Sequence, residues 1–168
     1  TLMLPTYLMG EDEKNPIFRD VSIPGFIAAR GSRSIYPYTL QDKFTMNKVD
    51  KKYESVVLEN EYIKVIILPE LRGRIHAAID KRNSWDFLYY NHVIKPGDIS
   101  VREGWIAGGL EFNHPGGHGY TQFSKISYKI IDESDGGKTV VVSEYEPVRM
   151  MIWQYYITLH PGTLYLET

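Results

Sequence analysis

The chain has 168 residues, 43% of them apolar and 24% charged, and its 19 basic and 21 acidic side chains leave a net charge of −2. This is room for one domain with a sizeable core; it excludes wholesale disorder and speaks against a nucleic-acid binder, which carries a basic surplus or a clustered basic face. With no cysteine and no apolar run of the ~18 residues that a membrane helix needs, disulfides, thiolate metal sites, cysteine nucleophiles and a membrane-spanning helix are excluded as well. Residues 1–34 read as irregular, broken by Pro5, Pro16, Pro24, Gly25 and Gly31, with Leu4 to Met9 as an edge-strand candidate. Ile35-Tyr-Pro-Tyr38 reads as a second short extended piece, confined to an edge by Pro37, and Asp42 to Lys52 as a polar connection.

From Glu54 the β signal strengthens. Strands are predicted at Ser55 to Leu58, Tyr62 to Leu68, Gly73 to Asp80 and Trp85 to Tyr90. Each is bounded by turn residues at the 8–12-residue rhythm of a sandwich or barrel. After the Gly-rich stretch from Asn91 to Phe123, strands resume at Ser127 to Ile131 and Thr139 to Ser143, joined across Asp135-Gly-Gly137. That turn between β-branched runs is a hairpin signal. Met150 to Leu159 is predicted as a long strand, His160 to Thr163 as a turn, and Leu164 to Thr168 as the start of another strand. No amphipathic helix appears. The 13 tyrosines suit both strands and wet binding surfaces, being apolar on the ring and polar at the tip. The fold class is therefore all-β.

Asn91 to Phe123 holds seven glycines and no sustained period, and an irregular segment of that length in a compact domain marks function or disorder. Trp105, Glu111, Asn113, His114 and His118 fall within 14 positions of it. A flat indole beside carboxylate, amide and imidazole groups is the composition of a sugar site; the competing reading is a surface loop with solvated histidines. A His–Glu pair can supply a proton donor and acceptor near neutrality. His114 and His118 have the spacing of paired metal ligands on a helix, with Glu111 as a third. Pro115 and the glycines between them make a helix improbable, so neither a metal nor a cofactor is expected. On the predicted strand Gly73–Asp80, Arg74, His76, Ala78 and Asp80 share one face. Ile75, Ala77 and Ile79 share the core face. The polar face either meets solvent or brings Arg74 and His76 to the same cleft. No nucleophile elbow, Walker loop or dinucleotide fingerprint is present.

The runs Leu58-Glu-Asn-Glu-Tyr-Ile-Lys-Val65, Leu68-Pro-Glu-Leu-Arg-Gly-Arg-Ile75 and Trp105-Ile-Ala-Gly-Gly-Leu-Glu-Phe-Asn113 carry a family resemblance. With Asn15 to Phe18, Ile94-Lys-Pro96 and Pro161-Gly162 they resemble, over nearly the whole chain, an uncharacterised domain-of-unknown-function family. Its members are typically large bacterial proteins, often with tetratricopeptide repeats after the domain. That family is similar to the galactose mutarotase (aldose epimerase) superfamily. The implied fold is an antiparallel β-supersandwich, of which this chain resembles the N-terminal portion. Residues 1–168 are then one β domain, with 1–53 a lead-in bearing short edge strands and 54–168 the main sheet region. The implied partners are a saccharide and the remainder of the chain, without nucleic acid; the compartment is left open between periplasmic or extracellular and cytoplasmic. His118 or His114 would act as the acid on a ring oxygen, with Glu111 the acid in a glycoside-cleaving relative. Arg74, His76, Trp105 and Asn113 would bind the sugar. A non-catalytic carbohydrate-binding or structural domain is the alternative. Two residues depart from the family pattern: Arg72 stands at the first Gly of Leu-Gly-Gly-Arg-Ile, and Phe112 at the Trp after the Glu.

Overall fold

The computed structural model describes residues 1–12, 36–100, 102–113 and 118–168. His114 and the proline- and glycine-broken run at 13–35 lie outside the described residues. Eleven strands are present among the described residues, and no α-helix. Every pairing between strands is antiparallel.

Two sheets make a sandwich. One has the order β3 (Val56–Glu59), β4 (Ile63–Leu68), β5 (Arg74–Asp80), β6 (Trp85–Asp86). The other has the order β11 (Met151–Leu159), β10 (Lys138–Glu146), β9 (Ser127–Asp132). Alternation on both supplies the layer between them: Val56, Leu58, Ile63, Val65 and Ile67 meet Val140, Val142, Trp153, Ile157 and Leu159. Asp135-Gly-Gly137 makes the expected turn between β9 and β10, with Gly136 at φ 88°.

The back of the first sheet is covered too. Leu68 packs with Leu4, Tyr53, Leu71, Ile94 and Ile106, and Ile66 joins them. Leu4 and Tyr53 come from β1 (Leu2–Met9) and β2 (Phe44–Tyr53), which pair from Leu2↔Tyr53 to Met9↔Phe44. The ten residues of β2 replace the polar connection expected at 42–52. Only its last residue, Tyr53, is buried, so backbone pairing with β1 makes this strand and hydropathy leaves no period to read.

Coverage on both faces corrects the expected polar face of β5. Arg74, Ile75, His76, Ala77 and Ala78 are all buried. A bulge sets the sides: Ile66 pairs with Ala77 but Ile67 with Ile75, which leaves His76 as the extra residue. Ile75 and Ala78 consequently both enter the inter-sheet core, where strict alternation predicts Ile75 and Ala77. Three further boundaries differ. β6 stops at Asp86, because Asp86 Oδ1 accepts the Ala78 and Leu88 amides and takes over from the ladder. The Gly-rich stretch contains a short hairpin, β7 (Gly97–Ser100) with β8 (Glu103–Trp105). Residues 164–168 make one bridge, Thr158↔Glu167, rather than a strand.

Candidate functional site

Just past β8, the Gly-rich stretch crosses the start of β5. Leu110 N–H donates to Ile75 O at 2.8 Å and Ile75 N–H to Leu110 O at 3.2 Å. Gly109 makes the approach possible: its φ is +65°, and a Cβ there would sit 2.1 Å from Ile75 O. This bridge brings the next residue, Glu111, to the Arg72-Gly73-Arg74 corner.

Five side chains converge on the Glu111 carboxylate. Oε2 accepts from Trp105 Nε1 at 2.9 Å and lies 2.9 Å from His118 Nδ1. Oε1 accepts from Gln122 Nε2 at 2.5 Å. Arg74 Nη2 is 3.6 Å from Oε2 and Arg72 Nη1 3.8 Å from Oε1. The guanidinium groups are anchored independently. Arg74 Nη1 donates to Ile106 O and Gly108 O at 2.9 and 2.8 Å, and Nη2 to Gln122 Oε1 at 3.4 Å. Arg72 Nη1 donates to Phe112 O at 2.7 Å, and its guanidinium lies over the Trp153 ring. Arg72, Arg74 and Gln122 are buried, Glu111 nearly so, and the His118 side chain is 34% exposed. Burial pushes the Glu111 pKa up, but hydrogen bonds from Trp105, His118 and Gln122 outweigh it and hold the carboxyl below its ordinary value. Burial lowers Arg74 to about 10, opposed by Glu111, so it stays a cation at neutral pH. The site is an ionised carboxylate backed by two cations and faced by a half-exposed imidazole, whose ring lies 5.3 Å from the Trp105 indole.

Of the residues singled out in the sequence, Trp105, Glu111, His118 and Arg74 come together. His76 does not join them: it is 2% exposed, packs edge-on against Tyr90 at 4.9 Å, and leaves Nε2 without a partner. Burial first, then Arg74, lowers its pKa to about 4. Asn113 is exposed, two residues beyond Glu111. Arg74 commits both Nη groups to protein acceptors, so it supports Glu111 and is not presented to a ligand. Gln122 and Arg72 join the site although neither is among the sugar-site residues that the sequence singles out. Gln122 lies near the end of the same Gly-rich stretch, with no local pattern to mark it. Arg72 takes a left-handed conformation, φ 61°, of the kind glycine adopts without cost, and brings a guanidinium to the corner. Among the described residues no three His, Asp or Glu groups are set to hold a metal ion.

A groove of about 520 Å³ lies elsewhere, lined by Trp85, Phe87, Leu110 and Tyr165 with Asp80 and Arg82. Its two charged residues are paired to each other, Arg82 Nη2 donating to Asp80 Oδ2 at 2.7 Å. The groove therefore offers apolar surface without uncommitted charge, and the candidate chemistry stays at Glu111.

The fold is similar to that of a solved TPR-domain containing protein from Parabacteroides distasonis ATCC 8503, with a TM-score of 0.74 and 27% sequence identity. The match covers 98% of this chain and 26% of that one, so the chain spans about a quarter of the length of this relative. Residues 31–168, which include every residue of the Glu111 cluster, match the family model described as Domain of unknown function (DUF5107). The chain belongs to this DUF5107 family, as the resemblance of its strand and Gly-Gly motifs implied.

Proposed function

We propose that the Glu111 cluster is a saccharide site on a mutarotase-like β-sandwich, with Trp105 as the surface against which a sugar ring stacks and His118 as its acid–base group. The observation that supports this is the mutual contact of indole, carboxylate and imidazole at the partly exposed end of an otherwise buried network. An apolar ring face suits the carbon face of a pyranose, and the imidazole nitrogen suits its hydroxyls. Glu111 is ionised and already engaged by three hydrogen bonds. In this reading it orients His118 and is not a proton donor to a glycosidic oxygen, the role that the sequence alone left open to it. Asn113 as a ligand contact, and His114 as the alternative acid, belong to the same reading.

A second reading has its own support. Glu111 is 12% exposed in its side chain and fully partnered, as a structural keystone would be, and the domain would then serve architecture or interaction in a larger repeat-containing protein. Glycan-array and calorimetric binding of the purified protein separate the two. Binding of a defined sugar that is lost in Trp105→Ala, with the fold retained, is the expected result. Absence of binding by the wild-type protein to every glycan on the array refutes the saccharide reading. Turnover of a sugar that binds, compared between wild type and His118→Ala, decides between enzyme and binding module; unchanged turnover removes His118 from the chemistry.

A further inference from the structure

An ionised carboxylate only accepts hydrogen bonds. Glu111 is held ionised by its donors, and its Oε2 lies 2.9 Å from His118 Nδ1. A short contact between an acceptor-only oxygen and an imidazole nitrogen requires the proton on that nitrogen. The carboxylate cannot rotate away from this task. Oε1 is pinned at 2.5 Å by Gln122 Nε2, and Gln122 Oε1 is in turn held by Arg74 Nη2. That second contact also fixes which end of the Gln122 amide faces Glu111. Oε2 shares its remaining capacity with Trp105 Nε1.

We infer that Arg74, Gln122 and Glu111 form a positioning chain that locks His118 as the Nδ1–H tautomer, so that Nε2 presents a lone pair to a hydroxyl-bearing ligand. This rests on the proposed saccharide site and sharpens it. The group meeting the ligand is a hydrogen-bond acceptor and general base, and the ligand must bring a donor, as a neutral sugar hydroxyl does. In the proton-transfer step the O–H proton passes to Nε2 and leaves an alkoxide on the ligand. The resulting imidazolium keeps its Nδ1–H bond to the Glu111 carboxylate, whose charge stabilises it. Among the described residues Nε2 takes no hydrogen bond that competes for this lone pair.

The test needs no ligand. Protein labelled with ¹⁵N-histidine is examined at pH 8 by long-range ¹H–¹⁵N correlation, and the His118 signals are assigned by their disappearance in His118→Ala, since the chain has five histidines. The expected spectrum shows His118 Nδ1 carrying the proton and Nε2 bare. In Glu111→Gln the ratio of Nδ1–H to Nε2–H tautomer should fall about tenfold, the scale of losing one charge-assisted bond, and Glu111→Asp should restore part of it. A wild-type His118 that is Nε2–H, evenly mixed, or doubly protonated at pH 8 overturns the inference. If Glu111→Gln fails to fold, the wild-type spectrum alone decides. Because no sugar is present, a correct tautomer without glycan binding refutes the saccharide reading only, and glycan binding with the wrong tautomer refutes this inference only.

Discussion

Gly109 and Gly162 have nearly the same φ, +65° and +68°, but opposite surroundings. A Cβ on Gly109 would lie 2.1 Å from Ile75 O and 3.1 Å from His76 Cα, whereas one on Gly162 would meet nothing within 4 Å. Alanine at either site incurs about 1–2 kcal/mol for a left-handed L-residue, less about 0.4–1 kcal/mol returned by the stiffer unfolded chain. Gly162→Ala should therefore cost about 1 kcal/mol. Gly109→Ala must also push the Gly-rich stretch off β5, because the atom it strikes is a backbone carbonyl that cannot swing aside. The two bonds joining Leu110 to Ile75 would weaken or break, adding about 1–3 kcal/mol. At roughly 2–4 °C per kcal/mol for a chain of this size, Gly109→Ala should melt at least about 2 °C below Gly162→Ala. Thermal and denaturant unfolding of the two variants, measured side by side, provide the comparison. Equal melting points would show that the Leu110–Ile75 bridge is not the rigid contact that brings Glu111 to the two arginines.

Glu111→Gln removes the carboxylate partner of two buried guanidinium groups, and should destabilise the protein by about 2–4 kcal/mol at pH 7 in urea titration. Because the folded carboxyl titrates below its ordinary value, that contribution is present above the unfolded pKa near 4.5 and is lost as pH falls through the folded one. Wild type and variant should thus converge in acid, and a constant gap down to pH 3 would refute the ionised-hub reading. His76 works with the same direction for the opposite reason: burial disfavours its charged form, so the unfolded chain binds the proton first. Its contribution is full above about pH 6.5 and declines toward about pH 4, a loss on the order of 3 kcal/mol. His76→Phe removes an unpartnered buried nitrogen while keeping a ring against Tyr90, and should flatten stability between pH 4 and 6.5 at little cost at pH 7; an unchanged acid slope assigns the loss to other groups.

Much of the β framework is legible because hydrophobic alternation and turn chemistry are local. Val56 to Leu68 and the Asp135-Gly-Gly137 hairpin place two strand pairs correctly for that reason. β2 escapes because neither its faces nor its periodicity report its partner; β1, more than thirty residues earlier, supplies the hydrogen bonds. The bulge at His76 escapes as well. An extra residue leaves the composition of β5 unchanged while exchanging which residues after it face the core.

The site divides the same way. Trp105, Glu111 and His118 stand out in the chain because polar and aromatic groups among glycines, with no period, are hard to explain as packing. The sequence by itself determined an all-β chain, its family, and a Gly-rich segment dense in acid–base and stacking groups. Only the tertiary structure decided that Arg72, Arg74 and Gln122 surround Glu111, that His76 stands apart, and that Glu111 contacts His118. Those contacts join residues up to about fifty positions apart, and a carboxylate's charge state depends on the donors and cations that folding assembles around it, not on its neighbours in sequence.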